Sequence, residues 1–253
     1  MGEHVAPASP TRKKRSNIFW NIVGVVGELL ITFAFIVGLF SVWQLYWTTY
    51  EVAGQVSQTI ASYEEEHQPA KRTLGEVRTD DPPAFDREVG DGEVYGLVHV
   101  PTWDWMKIPL AEGTTSYVLD QGWAGHYDMT TQPGGVGNFS VAGHRRTYGN
   151  NFRWIDRLTP GDKVVVEVDD HYLVYSMVSS EIIDATDPTQ MRVVAPVIDD
   201  VSWSETPTER WMTMTTCHPE YGNWQRYIVH LKFESWTPKD TGVPAELVDE
   251  PTN

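Results

Sequence analysis

The chain has 253 residues, enough for one sizeable domain with additional segments and too few for a large multidomain assembly. Hydrophobic residues make up 41% and charged residues 21% of it, a balance that excludes wholesale disorder. Lys and Arg number 19 against 35 Asp and Glu, and the net charge of -16 repels a phosphate backbone, so nucleic acid is not an expected partner.

At the N-terminus a basic cluster, Arg12 to Arg15, gives way to an apolar run over residues 18–45. That run exceeds the ~20 residues needed to cross a bilayer and the roughly 7–15 of a cleaved signal peptide's apolar core. Trp43, Tyr46, Trp47 and Tyr50 follow it as an interfacial aromatic belt. With the positive charge in front, the positive-inside rule predicts a cytoplasmic segment at 1–16, a transmembrane signal-anchor helix at 17–47 and everything later outside the cell. Glu28, inside the apolar run, is read as a residue that is protonated, reaches the interface or pairs with a neighbouring helix.

Residues 51–67 carry Val52, Val56, Ile60 and Tyr63 at modest helical spacing, after which the sequence turns polar, acidic and Pro-containing. Such sequence buries too little apolar area to offset its ordering entropy, so 48–90 is expected to form a mobile acidic stalk. From residue 91 to 236 the pattern is mostly β. YGLVHV, NFSVAGH, KVVVEV, YLVYSMVSSEII, RWMTMTTC and QRYIVHLKFESW are short, rich in β-branched and aromatic residues, and separated by turn signals such as Pro160-Gly161-Asp162 and Asp169-Asp170. Only short helical turns near 190–192 and 151–155 are expected here. Roughly six to eight strands in this length fit a closed barrel better than a parallel sheet. The tail, 237–253, is Pro-containing and acidic and is expected to be flexible.

Cys217 is the single cysteine, which excludes an intramolecular disulfide and any multi-thiolate metal site. The alternation MTMTTC delivers it at a strand end, where a loop containing His218, Pro219, Gly222 and Asn223 opens. On an exported domain a lone thiol in that setting is better read as a reagent than as buried filler. Nine residues on, Arg226 begins the next strand, and a strand-loop-strand hairpin places its guanidinium close to the thiol. A proton shuttle for a thiol is usually histidine. His144, exposed at the end of NFSVAGH, is one candidate and His126 another, while His171 and His230 sit where structural roles are expected. His218 neighbours the thiol along an extended chain and therefore points to the opposite side.

AGHRRTYG around His144, TMTTCHP around Cys217 and QRYIVH around Arg226, in that order, resemble the sortase family of cysteine transpeptidases of Gram-positive bacteria. The likeness is greatest to the class E group of actinobacteria, in which a TLTTCHP strand and an upstream GHY segment recur. It covers roughly residues 91–236, and Met214 departs from the usual aliphatic residue by a volume-conserving change.

The resemblance implies a closed eight-stranded β-barrel preceded by one N-terminal transmembrane helix. It also implies a groove that binds the C-terminal sorting signal of secreted surface proteins, an LAXTG or LPXTG sequence cut between Thr and Gly. Cys217 would form a thioacyl enzyme, His144 would carry the proton and Arg226 would stabilise the oxyanion. Lipid II or a wall-peptide amine would be the acceptor, with no cofactor and no metal. Tyr127 matches the GHY tyrosine and is expected to bind substrate and favour Ala over Pro at the second signal position. Thr215 and Thr216, which precede the nucleophile, are placed with Tyr127 among the substrate-binding residues, one of the two expected to face the groove and the other the barrel core, and Trp224 is expected to line the groove. Arg145 and Arg146 are expected as a solvated pair.

Other readings are a pilin-polymerising sortase and a non-catalytic membrane-tethered peptide-binding module. The Ser-His-Gly-Cys run of wall L,D-transpeptidases is absent from the sequence.

Overall fold

The structure, a computed structural model, describes residues 18–251. The basic cluster and the segment 1–16 lie outside the described residues, as does the side chain of Tyr46. The chain divides into two units, residues 1–43 and 44–253.

Helix α1 runs over Ile18–Glu66. In the first unit its stretch Phe19–Trp43 is long and apolar enough to cross a membrane. Consecutive residues Leu29, Leu30 and Ile31 are all exposed, so the helix is apolar all round, as a candidate membrane span should be.

In the second unit, eight strands among the described residues close into a barrel. They are β1 (Val94–Val100), β2 (Met106–Glu112), β3 (Ala124–His126), β4 (Gly137–Ala142), β5 (Lys163–Val168), β6 (His171–Asp184), β7 (Arg210–His218) and β8 (Gln225–Pro238). The order around the barrel is β1-β2-β3-β4-β7-β8-β6-β5. Six of these were expected. Sequence reasoning missed β2 and β3, because Pro109 interrupts the first and the second is only 3 residues long. The helical turns fall at Ile155–Arg157 and Pro188–Val194.

Most neighbouring strands are antiparallel, but β2 with β3 and β4 with β7 are parallel. The second of these pairs brings the C-terminal ends of β4 and β7 to the same end of the barrel. Strand alternation fills the interior with Phe139 and Val141 from β4, Met212 and Met214 from β7, and Val229 and Leu231 from β8, together with Tyr95, Trp103 and Phe152.

Two expectations need correction. The segment 48–90 is not a mobile stalk: α1 continues to Glu66 and docks, with Val52 and Tyr63 buried and Glu64 paired with Lys107 at 2.6 Å. The following residues lie on the barrel, through bridges of Leu74 to Val243 and Arg78 to Trp236, a 3.1 Å bond from the Trp236 indole to Asp80, and Phe85 against the core. Over its described residues, 237–251, the tail is not flexible either, since Val243 and Leu247 pack with Val165, Tyr172 and Val174, and Glu250 is buried between His99 (2.9 Å) and Lys107 (3.1 Å). Both segments are polar on average, yet sparse apolar anchors and paired carboxylates suffice once backbone bridges tie the chain down.

Candidate active site

Strand β7 separates two faces. Met212, Met214 and Thr216 turn inward, leaving Thr213, Thr215 and Cys217 on the outer face. Cys217 is partly exposed and stands opposite Arg226 as a register pair between β7 and β8. Arg226 Nη1 donates to the carbonyls of Asn223 (2.8 Å) and Gln225 (2.9 Å). Its other nitrogens are engaged by no described residue, so a fixed fork beside the thiol keeps donors to offer.

His144 arrives from the other side. In the parallel β4/β7 ladder Ala142 pairs with Thr215, and Gly143 N–H extends the ladder by donating to the Thr215 carbonyl at 3.1 Å. His144 is therefore delivered alongside the Thr216-Cys217 segment. Thr216 fixes this placement, because its hydroxyl donates to the Gly143 carbonyl at 2.6 Å. This corrects the assignment of Thr216 to the substrate-binding set: it is buried and holds the backbone that carries His144.

The His144 ring is held from two directions. Asp120 lies 2.8 Å from Nε2, and Tyr148 stacks on the ring with centroids 5.3 Å apart. Neither residue is identified by the sequence reading. Asp120 stands 24 positions upstream in the turn after helix α2 (Ser116–Leu119), and no local pattern connects it to His144. Of the competing histidines, His126 is fully buried between Glu112 (2.8 Å) and the Thr131 carbonyl (3.0 Å), and His230 is buried against Thr213 (2.9 Å). Both are spent on structural bonds.

Arg145 is not half of a solvated pair. It is buried, with Nη2 donating to Asp156 at 2.7 Å and Nη1 lying 2.8 Å from His218 Nδ1, and it crosses the face of Tyr227. Burial and then the Arg145 charge push the His218 pKa down, so His218 is a neutral acceptor there. The pair ties the loop after His144 to the strand end after Cys217. Arg146 is engaged as well, with Glu220 and the Tyr221 hydroxyl.

Tyr127 and Thr215 meet on the Cys217 face of β7, their hydroxyls 2.9 Å apart. Burial raises the Tyr127 pKa, against the opposing effect of the Thr215 bond, so the phenol stays protonated. Beside them Ile183, Val193, Val194 and Ile228 form an apolar cluster against which Tyr127 and Trp203 pack. Asn138 secures its covering turn by donating to the carbonyls of Val193 (3.0 Å) and Ala195 (3.1 Å). Trp224 lies two residues before Arg226 at the end of the β7–β8 loop, largely exposed at 59%.

A closed barrel with a partly exposed thiol at a strand end, a histidine on the parallel neighbour and an arginine on the antiparallel one defines a thiol-dependent acyl-transfer scaffold. Residues 98–234 match the sortase domain model, and the chain belongs to the sortase family of cysteine transpeptidases, in its class E group. It is 36% identical over 229 residues to sortase SrtE1 of Streptomyces coelicolor, an alignment covering 88% of this chain and 60% of that protein. The chain thus spans less than two thirds of that relative's length. Among solved structures it is similar to the SrtA sortase from Actinomyces oris (43% identity, TM-score 0.64, covering 70% of this chain and 100% of that one). It is also similar to sortase E1 of Streptomyces coelicolor with a tripeptide in the active site (38% identity, TM-score 0.55, covering 63% and 99%).

Proposed function

We propose that this protein is a membrane-anchored cysteine transpeptidase that cleaves an LAXTG- or LPXTG-like sorting signal between Thr and Gly and joins the surface protein to a cell-wall precursor. The observation that carries the reading is the pairing of Cys217 with Arg226 across β7 and β8 beside the parallel strand that delivers His144. The tripeptide seated in the active site of the Streptomyces coelicolor relative supports a peptide in the corresponding groove here.

In this reading the Cys217 thiolate attacks the Thr carbonyl carbon. The C–N bond to Gly breaks as His144 hands its proton to the departing amine, leaving a thioester on Cys217. An amine of lipid II or of a wall peptide then attacks the thioester and loses a proton to His144, and the thiolate departs. Arg226 donates to the oxyanion in both tetrahedral intermediates. Tyr127 and Thr215 meet the second residue of the signal, and Trp224 flanks the cleavage end. The Phe19–Trp43 stretch crosses the membrane with the N-terminus inside, so the barrel works on the outer face.

The test uses the full chain in detergent with LAXTG and LPXTG peptides and a wall-type amine, with products read by mass spectrometry. Cys217→Ala is expected to form no transpeptidation product and no thioacyl adduct while keeping its thermal transition. Product formed by Cys217→Ala removes the nucleophile assignment and the proposed chemistry with it.

A further inference from the structure

Helix α1, the turn after α2 and the loop after β4 meet at one α-carbon, that of Gly122. Its φ is +78°, and a Cβ there would lie 2.7 Å from Val52 Cγ1, 2.9 Å from Val56 Cγ2 and 3.0 Å from the Tyr148 carbonyl oxygen. A side chain here would strain the backbone and push on the two valines, so the helix closes directly on backbone. The other two segments both end on His144. Asp120, two positions before Gly122, sits 2.8 Å from its Nε2, and Tyr148 stacks on its ring.

The loop bearing Tyr148 also holds Thr147 (φ 68°), Tyr148 (φ 45°) and Asn150 (φ 54°) in the left-handed region. Non-glycine residues persist there only where their surroundings impose it. Gly122 and, behind it, the two valines are part of those surroundings. Val52 is buried and Val56 half-buried, although both lie in the helix that sequence composition assigns to a free stalk.

We propose that Val52 and Val56 are positioning residues for transpeptidation: the helix seats on Gly122, fixes the Asp120 turn and the Tyr148 loop, and through them aims the imidazole of His144. The inference rests on the reading of His144 as the proton carrier. Neither valine touches the reacting atoms. Their effect therefore belongs to the turnover step, in which proton transfer needs an aligned ring, and not to capture of the peptide in its groove.

The experiment compares the full chain in detergent with Val52→Ser/Val56→Ser, with the conservative Val52→Ile and Val56→Ile, and with Gly122→Ala. It measures kcat and KM for the sorting peptide together with the thermal transition. In the double Ser variant kcat is expected to fall about tenfold with KM changed less than about twofold, and the Ile variants should retain at least about half of kcat. Gly122→Ala, which pushes on the same contact from the other side, should reproduce the split. A folded double Ser variant whose kcat stays within about twofold of the parent, or whose loss lies in KM, overturns the proposal. Should the double variant not fold, Val56→Ser alone at its half-buried site decides, with a fall of about threefold expected and an unchanged kcat overturning. His144→Asn in the parent separates the two readings. Full turnover by that variant refutes the role of His144 itself, whereas its loss together with unaffected valine variants refutes only the coupling.

Discussion

The hydroxyls of Tyr127 and Thr215 lie 2.9 Å apart, and Thr215 stands two residues before Cys217 on the same strand. One proton lies between the two oxygens, so the pair keeps both a donor and an acceptor for a passing peptide backbone. A signal with Ala at its second position offers an N–H that Pro lacks, and a site that pairs such a group rejects the analogue without it. Tyr127→Phe is expected to narrow the Ala/Pro ratio of kcat/KM by about fivefold or more. Thr215→Val should narrow it as well, and the double variant should add little to either single change. An unchanged ratio in both single variants would make the pair a packing contact.

Arg226 is held through Nη1 by the carbonyls of Asn223 in the loop and Gln225 at the start of β8, while its remaining donors stay available beside Cys217. Lysine keeps the charge but cannot anchor on Asn223 and Gln225 and present planar donors at the same time. Arg226→Lys should therefore lose nearly as much kcat as Arg226→Ala, on the order of 10²-fold or more. A Lys variant running within about threefold of the parent would show that only the positive charge matters.

Asp120 is the one carboxylate bonded to His144 among the described residues. An amide keeps the shape but removes the charge that orients the ring. Asp120→Asn is expected to lower kcat about tenfold or more while leaving the rate of Cys217 alkylation and the peptide KM close to the parent. Parent-like kcat would reduce the contact to a surface ion pair.

Far from the thiol in sequence, His99 is buried between Glu167 (2.8 Å) and Glu250 (2.9 Å), with Lys239 and Lys107 on the outer oxygens. Burial alone would discharge His99, but the two carboxylates outweigh it and raise its pKa above 6.5. Burial would likewise raise Glu167, but His99 and Lys239 hold it at about 2, and Glu250 falls below 4.5. The His99 contribution to stability is full below pH 6.5 and is lost as pH rises through its raised folded value. The carboxylate contributions are full above pH 4.5 and fade as pH drops toward their depressed values. Glu250→Gln should therefore lower the Tm by about 4 °C or more near pH 5.5 and by clearly less near pH 9. A loss of equal size at both pH values would show that the tail is held by packing alone.

What was legible in the sequence was what lies along one strand or one hairpin. The alternation of Met212 and Met214 with Thr213 and Thr215 fixes which face Cys217 takes, and a tight hairpin returns Arg226 to its side. Asp120 was not legible because it reaches His144 from a separate segment 24 positions upstream, and Tyr148, although only four positions on, stacks on the ring through left-handed backbone that no local pattern announces. Composition averaged over 68–91 and 237–253 also concealed the docking of both segments, since Phe85, Leu247 and Glu250 are few among many polar residues. Thr216 shows the limit of motif reading: adjacency to the thiol counted both threonines as substrate-binding, whereas of the two it is Thr216 that strand parity turns inward.

The hydroxyl of Thr216 and the carbonyl of Gly143 that it meets are separated by 73 positions of chain. Two parallel strands cannot be joined by a tight turn, so β5 and β6 must be built in the interval before β7 can lie beside β4. Pairings of this span raise the contact order and are among the slower events of folding. In a chain that emerges N-terminus first, the imidazole of His144 is thus present long before a thiol reaches its neighbourhood. The β7–β8 hairpin already joins thiol and guanidinium, but the imidazole meets them only as the cylinder closes, so immature forms of this molecule hold the ingredients of the proposed catalysis without their juxtaposition.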